Sequence, residues 1–379
     1  MAGREPSRAT SSEDRIVLAN PTIIILAYNA FLLAFAAVVL TILWRLRSRV
    51  SLALFLLGGG ALVIASAVGA LVSPIARFGR VQLLAWAVFV HYPLFLLAGA
   101  YRFFEGRRCL ALGCGLLAVV ILVVSVDAFL IEPHWLDVAH LTMSSTKIEA
   151  PLAIAVVADL QTDAPGRYER RVLEQVQAEE PDLILLVGDY LDLADPERYA
   201  AMSDRLNGMM RDVGLAAPFG IYAVPGNVDW PGKWQEIFAG LPVMTFERTK
   251  TVDVGPVALT GLTLEAAANV DLSIEGRESF HIAMGHSPNF SLGQVEADLL
   301  IAGHTHGGQV QLPLVGPLVT LSQVPRSWAS GVTEIEPGRT LIVSRGIGME
   351  RGNAPRMRFL CRPQLVILDL LPADGRSGE

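Results

Sequence analysis

Between Arg15 and Arg45 the chain carries no Asp, Glu, Lys or Arg, and the same holds from Arg49 to Arg77, from Arg80 to Arg102 and from Arg108 to Asp127. A membrane helix needs about 20 predominantly apolar residues, and each run reaches or approaches that length. Four runs in succession, separated by short arginine-bearing loops, argue against a cleaved signal peptide and against a soluble helical core. Gly58, Gly59 and Gly60 suit close helix packing, and Trp44, Trp86 and Tyr101 suit the membrane interfaces. Residues 1–131 are therefore expected to form a membrane domain of four transmembrane helices. Hydrophobic residues make up 52% of the 379 in the chain, and this excess is concentrated in those runs.

Charge divides along the same line. Residues 1–130 hold 11 Arg against 5 acidic residues, which leaves 19 basic and 32 acidic residues beyond. An acidic soluble part is a poor polyanion binder, so no nucleic-acid partner is expected. The loops after the first and third runs carry three arginines each (Arg45, Arg47, Arg49 and Arg102, Arg107, Arg108), whereas the middle loop has Arg77 and Arg80. The positive-inside rule then keeps the first and third loops in the cytoplasm and sends the soluble part outside, although Arg4, Arg8 and Arg15 pull the other way. The expectation is an integral membrane protein whose soluble part is extracytoplasmic. Cys361 is alone in the soluble part, remote from Cys109 and Cys114, so no disulfide forms within that part.

Glu132-Pro133 ends the membrane pattern, and residues 132–371 suffice for one domain with a large core. Several apolar runs there end in a polar residue. Ala150 to Val157 leads to Asp159, Pro181 to Val187 to Gly188-Asp189, and Pro218 to Val224 to Asn227. His281 to Met284 leads to His286, and Leu299 to Ala302 leads to Gly303-His304-Thr305-His306-Gly307-Gly308. An earlier run, Leu136 to Met143, suits a first strand. The intervening stretches Tyr168 to Ala178 and Pro196 to Met210 read as helices, as does a segment after Asp229, where Asp229-Trp230-Pro231 resembles a cap followed by an early proline. The short β runs of Val315 to Leu370 suggest a second sheet packed on the first. Residues 372–379 read as a polar tail.

In layered α/β folds, sites gather beyond the carboxyl ends of strands. His304 and His306, two apart on an extended backbone, would face one side and can serve neighbouring cations. Taken singly, each residue also has a structural role open to it: Asp159 or Asp189 can cap a helix, Asn227 can serve a turn, and His286 can be a satisfied loop histidine. Together at successive strand ends they suit two divalent cations that activate water and clamp a phosphoryl group. Asp189, freed by Gly188, is the natural bridge.

With these residues in view, the chain resembles the calcineurin-like metallophosphoesterases, especially their bacterial membrane-associated branch. The resemblance spans about residues 135–371 and rests on ADLQ (158–161), GDYLD (188–192), GNVD (226–229), GHSP (285–288) and GHTHGGQ (303–309). It implies an α/β, four-layer metallo-dependent phosphatase fold, two packed β-sheets flanked by helices, here preceded by four transmembrane helices. It further implies that Asp159, position 161, Asp189 and His306 hold one metal, and Asp189, Asn227, His286 and His304 the other. Asp189, Asn227 and His304 are the expected catalytic residues, acting with a metal-bridging hydroxide.

Two positions depart from the family pattern. Gln161 stands where the family has a histidine ligand; its carbonyl oxygen can replace an imidazole without changing charge, or its amide can serve a metal-bound water. A harder ligand set favours manganese, iron or magnesium over zinc. Val228 stands where the family has a histidine that stabilises the phosphate or protonates the leaving group. General acid help contributes roughly 10²- to 10⁴-fold, so its loss matters least for acidic leaving groups such as those of pyrophosphates and aryl-like diesters. The glycine-interrupted basic segment from Ser344 to Arg358 offers Arg345, Arg351 and Arg356 as phosphate-binding residues, or as structural ion pairs.

The expected function is a membrane-anchored phosphoesterase acting on a phosphorylated small molecule or lipid, with a lipid or lipid-linked phosphoester or pyrophosphate favoured. The alternative is a catalytically weakened metal-binding membrane scaffold or sensor. A transporter is disfavoured because His91 is almost the only ionisable residue within the runs.

Overall fold

A computed structural model describes residues 20–46 and 49–373. Arg4, Arg8, Arg15 and Arg47 of the charge comparison, and residues 374–379 of the polar tail, lie outside the described residues. The chain divides into two compact units, Met1–Asp127 with Asn353–Pro355, and Ala128–Gly352 with Arg356–Glu379.

In the first unit, α1 (Pro21–Arg45) begins where the Asn20 side chain accepts the Thr22 N–H and Pro21 presets the first turn. Next come α2 (Arg49–Val72) and α3 (Arg77–Trp86), the latter passing through a π-helical turn, Ala87–His91, into α4 (Tyr92–Phe103). The last helix, α5 (Arg108–Val126), continues through Asp127–Ile131. Four helical segments, Pro21–Arg45, Val50–Val72, Arg77–Phe103 and Arg108–His134, are long and apolar enough to cross a membrane. Leu26, Phe31, Leu57, Ile64 and Leu116 point outward and are exposed, an apolar exterior that water would not tolerate and lipid would. His91 meets the Asn29 amide oxygen at 2.7 Å, a contact that ties two of the helices together.

The second unit is a layered α/β domain. Its strands and helices run β1 (Asp137–Ser145), β2 (Leu152–Val157), α6 (Arg167–Ala178), β3 (Leu183–Val187), α7 (Pro196–Val213), β4 (Ile221–Val224), β5 (Val243–Thr245), β6 (Lys250–Val254), β7 (Val257–Gly261) and α8 (Leu264–Ala268). They continue as β8 (Ser273–Ile274), β9 (Phe280–Met284), β10 (Gln294–Val295), β11 (Leu299–Ala302), β12 (Gln311–Leu312), β13 (Gly316–Pro317), β14 (Gly331–Glu336), β15 (Arg339–Val343) and β16 (Gln364–Pro372). One six-stranded sheet has the order β1-β16-β2-β3-β4-β5 and the other β14-β15-β11-β9-β7-β6.

The sheets meet through a shared apolar layer. Ile154, Val156, Leu185 and Val187 of the first interdigitate with Leu259, Ile282, Met284, Leu299 and Ile301 of the second, all buried. Strands covered on both faces read as continuous apolar runs, which is why LILLV of β3 and LLIA of β11 show no polar alternation. On the outer face of the first sheet, α6 and α7 bury Val172, Leu173, Tyr199 and Leu206. On the outer face of the second, α8 and the Pro288–Leu292 turn bury Ala267 and Phe290. The result is the expected four-layer arrangement.

Three details differ from the sequence reading. Only β14 and β15 of the late β runs join the second sheet; β16 crosses back to lie between β1 and β2, parallel to the first and antiparallel to the second. The segment after Asp229 forms only a short 3-10 turn, Trp234–Phe238, whose N-cap is Lys233, so Asp229 does not cap it. Finally, His304 and His306 do not share an extended strand: β11 ends at Ala302, and both histidines have left-handed backbones with φ of 70° and 48°.

Candidate metal centre

The carboxyl ends of β2, β3, β4, β9 and β11 point into one region, where the chain takes tight turns. Asp159, Gln161 and Asp189 join the two histidines in the left-handed region, with φ of 49°, 27° and 55°. Non-glycine residues rarely adopt this conformation, and clusters of them occur where the fold holds side chains against local preference. Close approach also demands glycine: a Cβ on Gly226 would lie 2.1 Å from Asp189 Oδ1.

Hydrogen bonds fix the histidine tautomers. His286 Nδ1 faces the Val187 carbonyl at 3.0 Å, and His304 Nε2 faces the Leu321 carbonyl at 3.2 Å. Each carbonyl can only accept, so these nitrogens carry the protons and the opposite nitrogens present lone pairs. His286 Nε2 then sits 2.9 Å from Asn227 Oδ1, 3.2 Å from Asp189 Oδ2 and 3.2 Å from His304 Nδ1. With His286 neutral, four acceptors converge with no donor among them, an arrangement that calls for a cation, whether a proton on His286 or a metal ion.

Beside them, one ligand atom each from Asp159, Asp189 and His306 lies within 4.8 Å of the others, and all three residues are buried. Asp159 Oδ2, Gln161 Oε1 and both ring nitrogens of His306 are buried without a hydrogen-bond partner. Unsatisfied buried polar atoms are costly, and their clustering beside Asp189 fits a second cation. Gln161 Nε2 is directed to Asp192 Oδ2 at 3.3 Å and Glu350 Oε2 at 3.4 Å, which leaves its carbonyl oxygen as the free end.

The protonation preferences carry the same message. Burial disfavours a charged His286, yet Asp189 and Asp159 push it up to about 10. Burial, with the charge on Asp189, lifts Asp159 to about 7. His304 falls to about 4 through burial and the charge of His286, and His306 falls well below the usual imidazole range through burial and Arg358. The pocket demands positive charge near its carboxylates and neutral imidazoles elsewhere, which is the state metal ligation needs.

Residues with no role in the centre on the sequence reading build its surroundings. Asp229 is buried and accepts three backbone N–H groups, from Gly226 at 2.7 Å, Asp189 at 2.9 Å and Tyr190 at 2.8 Å. Burial and the charge of Asp189 raise it to about 7. Glu350 rises to about 8 through burial and the nearby charges of Asp189 and Asp192. Arg358 is fully buried and donates to the carbonyls of Gly348, Cys361, Arg345 and Gly346, so one guanidinium organises the whole basic segment. For Asp229, the signal was available in its acidic type two residues after Asn227.

The three arginines expected at the phosphate are engaged in ion pairs. Arg345 pairs with Asp137, while Arg351 and Arg356 both face Asp163, with Arg351 Nε also donating to the Gln161 carbonyl at 2.9 Å. Arg356 is half exposed, whereas Arg351 is largely covered. Val228 takes part through its backbone, donating its N–H to Asp189 Oδ1 at 2.9 Å. Asn227 is exposed and His304 half-buried, so these two ligand candidates mark the open side of the centre.

Two packed sheets with acidic, amide and imidazole groups gathered at their strand ends define a metal-dependent phosphoester hydrolase. The family model of the calcineurin-like phosphoesterases matches residues 152–308, so this stretch of the chain carries a domain of that kind. The chain is similar to the uncharacterized metallophosphoesterase YkuE of Bacillus subtilis, 29% identical over 262 residues that cover 63% of this chain and 87% of the relative. It is also similar to the phosphodiesterase YaeI of Escherichia coli, 25% identical over 257 residues that cover 63% and 90% respectively. An uncharacterized metallophosphoesterase of Aquifex aeolicus is 26% identical over 266 residues, covering 63% of this chain and 94% of the relative.

Proposed function

We propose that this chain is a membrane-anchored phosphoesterase that holds two divalent cations, outside the cytoplasm, and cleaves a phosphoester or pyrophosphate bond in a lipid or lipid-linked substrate. The observation that carries the two-cation part is the convergence of Asp189, Asn227, His286 and His304 lone pairs beside the unsatisfied atoms of Asp159, Gln161 and His306. Asp189 borders both groups and would serve both cations. Manganese, iron or magnesium suits the oxygen of Gln161 better than zinc does.

When bound, such a pair neutralises phosphoryl charge and lowers the pKa of water. The chain's own contribution is orientation. Val187 and Leu321 hold the two imidazoles in their ligating tautomers, and Asp229 holds the turn that carries Asp189. Asn227 and His304, on the open side, would meet the substrate phosphoryl group. Position 228 offers an alkyl group where protonation of a leaving group would be needed, so the chemistry favours substrates whose leaving group is already acidic. Lipid pyrophosphates and activated diesters meet that condition.

The full-length protein, loaded with manganese in detergent, should hydrolyse bis(p-nitrophenyl) phosphate, and Asp189→Ala should abolish that turnover. Equal rates for the two proteins would sink the enzymatic reading in favour of a metal-binding scaffold. Incubation with total membrane lipid should deplete a phosphorylated species; cleavage of water-soluble diesters alone would overturn the lipid assignment.

A further inference from the structure

From Gly303 to Pro325 the chain carries no Asp, Glu, Lys or Arg. Within this stretch β12 and β13 pair as a small antiparallel hairpin, Gln311 opposite Pro317 and Leu312 opposite Gly316. Leu314, at its tip, is fully exposed, and Leu312, Val315, Leu318, Val319 and Leu321 around it are exposed as well. Six exposed aliphatic side chains within the ten residues 312–321, with no charge among them, are a concentration of the kind that marks an interaction surface.

The hairpin is fastened to the metal centre. The Leu321 carbonyl faces His304 Nε2 at 3.2 Å, and a Cβ on Gly308 would lie 2.4 Å from Pro317 Cβ. Its base is fastened to something else. Gln311 donates its N–H to the Phe359 carbonyl at 2.9 Å, and Phe359 donates back to Gln309 at 3.1 Å. The neighbouring residues hold the end of the last membrane-length helix: Arg358 N–H reaches the Ala128 carbonyl at 2.9 Å, and the buried Glu132 carboxylate accepts the N–H groups of Leu360 and Cys361. Ala128 and Glu132 lie in the final turns of the Arg108–His134 segment and in the same compact unit as the hairpin. The base of the apolar hairpin is thus joined, through Phe359 and Arg358, to the emerging end of a membrane-length helix.

We propose that the Gln311–Leu321 hairpin dips its aliphatic side chains into the surface of the bilayer that the helices cross, so that the centre beside it meets phosphoester groups at headgroup level. Hairpin backbone leaves N–H and C=O groups unpaired, which hydrocarbon does not tolerate, so insertion stays shallow, roughly 5–10 Å into the headgroup and acyl boundary. The inference rests on reading the four helices as membrane spans; only its consequence for substrate rests on the lipid assignment.

The test uses the full chain in nanodiscs of phosphatidylcholine and phosphatidylglycerol, with the exposed Cys109 replaced by Ser. A spin label is placed at Leu314→Cys, or at Val332→Cys as a control on an exposed residue of β14. The label at 314 should be relaxed by oxygen and shielded from a water-soluble nickel chelate severalfold more than the label at 332. Access to nickel equal to the control overturns the proposal, and so does shielding from both relaxants, which would mean a protein partner. A second arm compares Leu314→Asp with the native chain: lipid turnover should fall at least severalfold while turnover of a soluble aryl diester holds. A shielded label in a protein that cleaves only soluble diesters upholds the hairpin's insertion and overturns the lipid assignment.

Discussion

Asp229 Oδ2 accepts the backbone N–H of Asp189 at 2.9 Å, so the residue that borders both halves of the metal centre is itself held by a buried carboxylate two positions beyond Asn227. The same carboxylate also takes the N–H groups of Gly226 and Tyr190. Replacing it with alanine strands three buried donors, at about 1–3 kcal/mol each if none finds water. Asp229→Ala should therefore lower the melting temperature markedly and weaken manganese binding by about 10- to 100-fold, as outer partners of metal ligands generally do. Melting curves and calorimetric titration would check both; unchanged affinity in a folded variant would contradict the bracing role.

Gln161 is oriented by Asp192 and Glu350, which leaves its carbonyl oxygen toward the centre. Gln161→Leu should remove one cation while sparing the other, seen as a drop from two bound manganese ions to one near the native concentration range. Gln161→His should move preference toward zinc in competition experiments. If Gln161→Leu still binds both ions with native affinity, the amide is not a ligand.

Protons and cations compete in this pocket. Burial works against charge on His286, but the carboxylates of Asp189 and Asp159 hold its proton up to about 10, and burial holds one on Asp159 up to about 7. Both must leave for those atoms to ligate, so affinity should rise with pH across about pH 6 to 8, with roughly one to two protons released per loaded protein. Calorimetry in buffers of different ionisation enthalpy counts them. A pH-independent affinity would refute the assignment of His286 and Asp159 as ligands.

Val228 offers only its backbone N–H, to Asp189 Oδ1, and under the proposed function its alkyl side chain leaves a poor leaving group without a proton donor. Val228→His should accelerate cleavage of alkyl phosphoesters by about tenfold or more and change aryl diesters little, within the general-acid range. The readout is the dependence of rate on leaving-group pKa, which should flatten. An equal effect on both substrate classes would show that the imidazole does something other than donate.

Arg358 is buried whole and satisfied by backbone carbonyls. Loss of its planar fork leaves those carbonyls unpaired at a cost of about 3 kcal/mol, which corresponds to a drop of ~6–12 °C for a domain of this size. Lysine cannot span them and should rescue little. Thermal unfolding of Arg358→Lys beside Arg358→Met checks this.

Strand ends were legible because a buried strand must be apolar throughout and then stop, so LILLV followed by Gly188-Asp189 announces both an element and a turn. The groups that orient the ligands were less legible. Glu350 and Arg358 reach the centre only through long-range packing, and Glu132 meets Cys361 across 229 positions. No local period encodes such pairs. The left-handed backbones of His304 and His306 were hidden for the opposite reason: alternation predicts an extended chain, and the sheet ends before it applies.

The place of β16 between β1 and β2 sets the order in which this molecule can be made. Until residues 364–372 leave the ribosome, β2 has no neighbour on one edge and β1 has no partner in the sheet, so the sheet bearing Asp159 and Asp189 stays open until then. The four apolar helices are finished well before then. A nascent chain therefore waits with open sheet edges for β16, and a ribosome that stalls short of it leaves an aggregation-prone species rather than a shortened enzyme.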